Sequence, residues 1–150
     1  MIFEYNNIRI SISQTVIDGL NNFKQTGKKL EAGGVLMGSI FHDRIEILRI
    51  SIPTPFDKSN RYGFVRDKRS AKIFIDYEFV NSKGKIIYLG EWHSHPEDYP
   101  TPSSQDIKMI REQYNENVFD EKFLLMLILG RKDIYLSIFD GKEIHQLVIL

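Results

Sequence analysis

The chain has 150 residues, 42% hydrophobic and 27% charged, which suits one globular domain over residues 1–150 and excludes a disordered or fibrous chain. Its 20 basic and 20 acidic residues cancel, so nothing in the net charge argues for a nucleic-acid or membrane partner. Cysteine is absent, which removes disulfides, thiolate zinc ligands and a thiol nucleophile, leaves any metal to His, Asp and Glu, and fits a cytoplasmic setting.

Residues Met1 to Asn7 lack the pattern of a secretory signal, and the longest apolar run, Phe123 to Leu129, falls far short of the roughly 20 residues of a membrane-spanning helix. Alternating Ile8, Ile10 and Ile12 predict a strand with one buried face. A helix follows, capped by Ser13 or Ser11, with Val16, Ile17, Leu20 and Phe23 at helical spacing, Gly27 as its stop and Lys28 and Lys29 at its cation-favouring end. The run Glu31-Ala32-Gly33-Gly34-Val35-Leu36-Met37-Gly38 is a glycine-rich entry into a strand, and the turn His42-Asp43 returns it as a second strand over 44–50. Residues Ser51 to Val65, rich in Pro, Asp, Ser and Asn, form the longest irregular stretch; Phe56, Tyr62, Phe64 and, farther on, Tyr99 are either core residues or contacts for a bound partner.

Asp67 is placed to cap a helix carrying Ile73, Tyr77 and Val80 at i, i+4 and i+7 and ending near Ser82-Lys83-Gly84. A buried strand over 85–93 comes next, then a proline-rich turn, then a helix from Ser103 or Ser104 with Ile107, Ile110 and Tyr114 inward. Three strands close the chain at 122–129, 133–139 and 143–150; the first is continuously apolar, and the last two are joined at Asp140-Gly141, a hairpin signal.

The stretch from Gly90 to Asp106 does not read as ordinary folding material. Strand residues at i and i+2 share a face, so His93 and His95 can address one point, and Asp106 can add a carboxylate, making a two-His, one-carboxylate set with room for water, the pattern of a catalytic zinc. The alternative is a pair of histidines that are solvent-exposed or hydrogen-bonded in the core. Ser103 and Asp106 also have the Ser-x-x-Asp spacing of a capping box. Glu31, close to two lysines, reads as a solvated charge on physics alone. Glu91 shares the histidines' face and is a support for the ligands, an extra ligand or a surface residue.

Taken together, Glu31, His93-Ser94-His95-Pro96, Ser103 and Asp106 resemble the JAMM signature of the JAB/MPN metalloprotease family: a distant Glu, then His-Ser/Thr-His-Pro, seven intervening residues to a Ser and two more to an Asp. The resemblance implies an α/β fold of the mixed α+β kind, a curved mixed sheet flanked by about three helices. It also implies one zinc ion held by His93, His95 and Asp106, with Glu31 as the base, Ser103 as the oxyanion donor and Glu91 and Ser94 supporting them.

The form Tyr-Leu-Gly-Glu-Trp-His-Ser-His-Pro-Glu, with Glu91 where many relatives have an apolar aromatic, resembles a bacterial branch encoded with E1- and E2-like conjugation proteins, including those of CBASS antiphage systems. The expected activity is that of a zinc isopeptidase acting after the C-terminal tail of a ubiquitin-like protein or of a conjugated target protein. The alternatives are a processing peptidase for a sulfur-carrier protein and a catalytically silent protein-binding module.

Overall fold

The computed structural model describes residues 1–116 and 122–150. A hairpin opens the chain: β1 (Ile2–Tyr5) pairs antiparallel with β2 (Ile8–Ile12) across Asn6 and Asn7, whose φ angles of 47° and 65° are those a tight two-residue turn requires. Only the second of these strands was expected from the alternation of isoleucines. α1 (Gln14–Asn21) is capped by Ser13, whose side chain accepts from the Val16 N–H.

The helix ends at Asn21 and not at Gly27, so Lys28 and Lys29 do not sit at its end. Two side chains account for this. Phe23 leaves the helix to pack against Trp92, ring centroids 5.6 Å apart and tilted by 49°, and Gln25 is buried, donating to the Lys29 and Arg61 carbonyls at 3.1 and 2.6 Å and accepting from the Ser94 hydroxyl at 3.2 Å. A buried amide fully met in this way holds an irregular segment as firmly as helical bonds would.

β3 (Gly33–Ile40) and β4 (Arg44–Ile50) form the expected hairpin. The stretch expected to be irregular contains a second, small hairpin of β5 (Lys58–Asn60) and β6 (Gly63–Val65), which forms a separate two-stranded sheet. α2 (Lys68–Asn81) starts at its Asp67 cap. Its stripe of Ile73, Tyr77 and Val80 faces outward at 62%, 63% and 70% exposure, while Ala71, Phe74 and Ile75 make the contact with the sheet.

β7 (Ile87–Ser94), α3 (Ser104–Glu116) and β8 (Leu124–Leu129) make a crossover between parallel neighbours. β9 (Ile134–Phe139), β10 (Ile144–Gln146) and β11 (Val148–Ile149) complete the chain. The β9–β10 hairpin forms, with Asp140 and Glu143 bonded across Gly141 and Lys142.

The large sheet has the order β10-β9-β8-β7-β3-β4-β2-β1-β11. Its two edge strands β10 and β11 are separated in sequence by Leu147 alone, so the sheet must curl until one extended segment reaches both edges. All six residues of β8 are buried because it is covered twice. Leu125, Leu127 and Leu129 enter the main core with Trp92, Leu36 and the α1 residues Val16 and Leu20, whereas Leu124, Met126 and Ile128 meet Ile110 of α3. The expected mixed α/β architecture with three flanking helices is the one observed.

Candidate active site

The site forms at the carboxyl end of β7, where β3 begins and α3 starts. In the β3–β7 pairing Gly33 lies opposite His93, and the register continues through Ala32 and Ser94, whose backbones bond at 2.8 Å. The ligand-capable atoms of Glu31, His93 and His95 lie within 4.8 Å of one another, and all three residues are buried. Glu31 is 5% exposed, so it is not the solvated charge that its neighbouring lysines suggested.

Asp106 arrives from the first turn of α3. Its Oδ1 is 3.0 Å from His93 Nε2 and its Oδ2 is 3.0 Å from His95 Nε2. The capping box is also present: the Asp106 carboxylate accepts from the Ser103 N–H at 2.8 Å, and the Ser103 hydroxyl accepts from the Asp106 N–H at 3.1 Å. Helix start and site are therefore one construction, because the bond that caps α3 also fixes the carboxylate beside the imidazoles.

The electrostatics divide the two carboxyls. Burial pushes Glu31 up to about 7, partly offset by His95 and reinforced by Asp106. Asp106 is held well below the carboxylate range: burial would raise it, but its contacts with His93 and His95 and the Ser103 N–H outweigh that cost. Burial alone would lower His95, yet Asp106, Glu31 and Glu97 around it leave it raised. Paired carboxyls driven apart in this way can take separate acid–base and anionic roles at one pH.

The donor set suits a divalent metal. Among the described residues neither ring nitrogen of His93, both buried, has a hydrogen-bond partner; Nε2 is near Asp106 in distance but not aligned with it for a hydrogen bond. Such an orphaned nitrogen is costly unless something else takes its lone pair. Donors on a tetrahedral zinc at about 2.0–2.1 Å stand about 3.3 Å apart, close to the 3.0 Å imidazole–carboxylate spacings seen here. His95 Nδ1 meets Glu97 Oε1 at 2.9 Å, the outer carboxylate contact that orients a metal-binding imidazole.

A model of the prokaryotic homologs of the JAB domain matches residues 13–140. The chain belongs to this family. Among relatives of this prokaryotic JAB domain, one from Escherichia coli (strain TW11681) named CD-NTase/cGAS isopeptidase is 37% identical over 91% of this chain and 83% of its own length. One of the same name from Vibrio cholerae is 35% identical over 79% of this chain and 70% of its own length. A solution structure of a Desulfitobacterium hafniense protein superposes with a TM-score of 0.66 at 18% identity, covering 91% of this chain and 88% of that one, a likeness of fold.

In this JAB domain Glu91 stands apart from the metal-capable cluster. A register shift between Leu36 and Met37, opposite Leu89 and Gly90, brings Tyr88 onto the same face as Glu91. The Glu91 carboxylate, 3% exposed, accepts from the Tyr88 hydroxyl and from Arg66 Nε at 2.5 Å, and Arg66 Nη2 donates to Gln113 of α3 at 2.9 Å. Burial pushes the Glu91 carboxyl up and Arg66 and Tyr88 pull it back. Arg66 itself stays charged, because the Glu91 carboxylate beside it outweighs the cost of burying the guanidinium.

Ser94 is fully buried on the opposite face of β7 from the histidines, where its hydroxyl accepts from the Ala32 N–H at 2.8 Å. It thereby acts on the segment that carries Glu31. Of the aromatic residues of the irregular stretches, Tyr62 and Phe64 line a groove of about 530 Å³ between the β5–β6 hairpin and α3, a groove that opens onto Glu31, His93 and Asp106. Phe56 and Tyr99 are exposed elsewhere. Sequence reasoning missed Arg66, Ser59, Asn60 and Glu97. Only Glu97, two residues beyond His95, had a signal in its spacing.

Proposed function

We propose that this JAB domain is a zinc-dependent isopeptidase that hydrolyses the amide bond after the C-terminal tail of a ubiquitin-like protein or of a protein conjugated by E1- and E2-like enzymes, in bacterial antiphage defence of the CBASS kind. The observation that carries the reading is the burial of two imidazoles and two carboxyls together at the head of an open groove. The name CD-NTase/cGAS isopeptidase borne by relatives that align with most of this chain supports it, and points to a conjugated nucleotidyltransferase as the tail donor.

His93, His95 and Asp106 would hold the zinc, with Glu97 orienting His95. When bound, the metal supplies Lewis acidity, polarising the scissile carbonyl and making water acidic enough to be deprotonated near neutral pH. Glu31, its carboxyl raised to about 7 by burial, is matched to taking that proton and returning it to the departing amine. Ser103 uses its hydroxyl oxygen to accept from the Asp106 N–H, which leaves its hydrogen to donate to the carbonyl oxygen as charge develops there. The groove between Tyr62, Phe64 and α3 holds the extended tail.

The test uses a CD-NTase C-terminal peptide fused by an amide bond to a fluorescent protein. Wild type should carry about one zinc per chain and cleave the fusion, and Glu31→Gln should keep the zinc and lose turnover. A wild-type protein without zinc after metal-replete purification, or an unimpaired Glu31→Gln, overturns the assignment.

A further inference from the structure

No chemical step proposed above uses Glu91, Arg66, Tyr88 or Gln113, although Arg66 and Gln113 also line the groove, and Arg66 and Glu91 form a buried charged pair next to the site. Removing two charges from water is costly, and apolar residues of similar size would pack at least as well, so a retained buried pair needs a role that packing cannot fill. Fixed direction is one such role: the planar guanidinium holds its partners in defined positions. Here it spans three elements, joining Glu91 of β7, Gln113 of α3 and the end of β6 that carries Arg66.

The β5–β6 hairpin is seated from both ends. Beside Arg66, the Phe64 ring lies against Gly33, where an added Cβ would stand 2.5 Å from it; this is the close approach that the glycine allows. At the other end, Glu31 precedes the first residue of β3 and has no place in that strand's ladder. Its N–H donates instead to the Asn60 carbonyl at 2.8 Å, and its carbonyl accepts from the Ser59 hydroxyl, both from β5. The hairpin therefore holds the backbone of Glu31 on both sides of the residue, while Ser94 holds only its neighbour Ala32. Glu91, two residues before His93 on the same strand face, sets the hairpin against the strand that bears the two histidines.

We infer that the Arg66–Glu91 pair is a positioning element for Glu31: it fixes the β5–β6 hairpin against β7 and so holds the base in register with His93 and His95, an inference that rests on the reading of Glu31 as the base. Arg66 and Glu91 touch no reacting atom. They act through Ser59 and Asn60.

The experiment compares zinc-loaded wild type with Glu91→Gln, Arg66→Met and Ser59→Ala, measuring hydrogen exchange at the Glu31 amide, zinc content, and kcat and KM on the peptide fusion. Loosening the pair should speed exchange at Glu31 by about tenfold and lower kcat by about 10–100-fold; in Glu91→Gln, whose residue does not line the groove as Arg66 and Ser59 do, KM should stay within about threefold, the pattern of a displaced group that acts in the transition state. Zinc content should not change. Ser59 is exposed, so Ser59→Ala cuts the same tie without disturbing the buried pair; it should speed Glu31 exchange and lower kcat in the same sense.

Unchanged Glu31 exchange and kcat in Glu91→Gln and Arg66→Met overturn the inference, as does a loss of kcat that follows loss of zinc. Should both buried-pair variants fail to fold, an unaffected Ser59→Ala overturns it alone. If Glu31→Gln keeps its turnover while Glu91→Gln still frees the Glu31 amide, the catalytic reading falls and the structural tie stands.

Discussion

Replacing Glu31 by Gln should make the metal-free protein more stable at alkaline pH while removing its activity once zinc is restored. The carboxyl rises from its ordinary 4.5 to about 7 because burial penalises its charge. The folded protein therefore binds this proton more tightly than the unfolded chain does. The penalty of the charged form is absent below 4.5, grows as pH rises through the interval, and is complete above about 7. A shift of this size corresponds to about 3 kcal/mol at most, and about 1–2 kcal/mol once water entering from the groove is allowed for.

Gln is neutral throughout, so the variant should match wild type near pH 4.5 and gain about 3–8 °C in melting temperature at pH 8.5. In the zinc-loaded form, loss of the base should lower kcat by about 10²–10⁴-fold, or about 3–5 kcal/mol of barrier. Thermal melts of chelator-treated protein at the two pH values, together with turnover of the peptide fusion, measure both halves. A melting-temperature difference that does not change with pH would refute the desolvated-carboxyl account, and full turnover would refute the catalytic one.

Ser103→Ala should retain zinc but lower kcat by about 10²–10³-fold, and it should cost about 1 kcal/mol through loss of the cap on α3; zinc loss in this variant would instead place Ser103 in the support of the ligands. Asp106→Ala should lose both zinc and the cap, read as metal content near zero and a lowered melting temperature. Tyr77→Ser on the outward stripe of α2 should shift stability by no more than about 0.5 kcal/mol by denaturant melt, whereas Leu125→Ala in the doubly covered β8 should cost about 2–5 kcal/mol; similar costs for the two would mean that the stripe is covered. Gly90→Ala, whose new Cβ would collide with the Leu125 backbone, should cost about 1–3 kcal/mol or more, and a neutral result would show that β7 and β8 can separate.

Local pattern was enough for the parts of the fold that local physics decides. Ser13 and Asp67 were legible as caps because an N-cap needs only a short side chain next to an amphipathic run. β8 was legible as a buried strand because six apolar residues in succession have no polar face to present. His93, His95, Ser103 and Asp106 were legible because two features of chain geometry, the two-residue strand repeat and the capping box, gather them within one stretch.

Where side chains from distant segments compete, the same reasoning failed. The stripe of Ile73, Tyr77 and Val80 faces outward because Ala71, Phe74 and Ile75 fit the sheet better, a choice made by the surface of β3 and β7. α1 ends early because Gln25 and Phe23 are drawn to partners on β7 and the β5–β6 hairpin. Glu31 acquires its burial, its raised carboxyl and its place beside His93 and His95 only through the pairing of β3 with β7 and the bonds from β5. Glu91, in one dimension a support for the ligands, an extra ligand or a surface residue, is buried as the partner of Arg66, 25 residues before it. The sequence alone determined which chemical groups and which local turns this protein has. The tertiary structure decided which charges lose their water and which partner each of them meets, because desolvation and long-range pairing depend on what other segments bring to the same point.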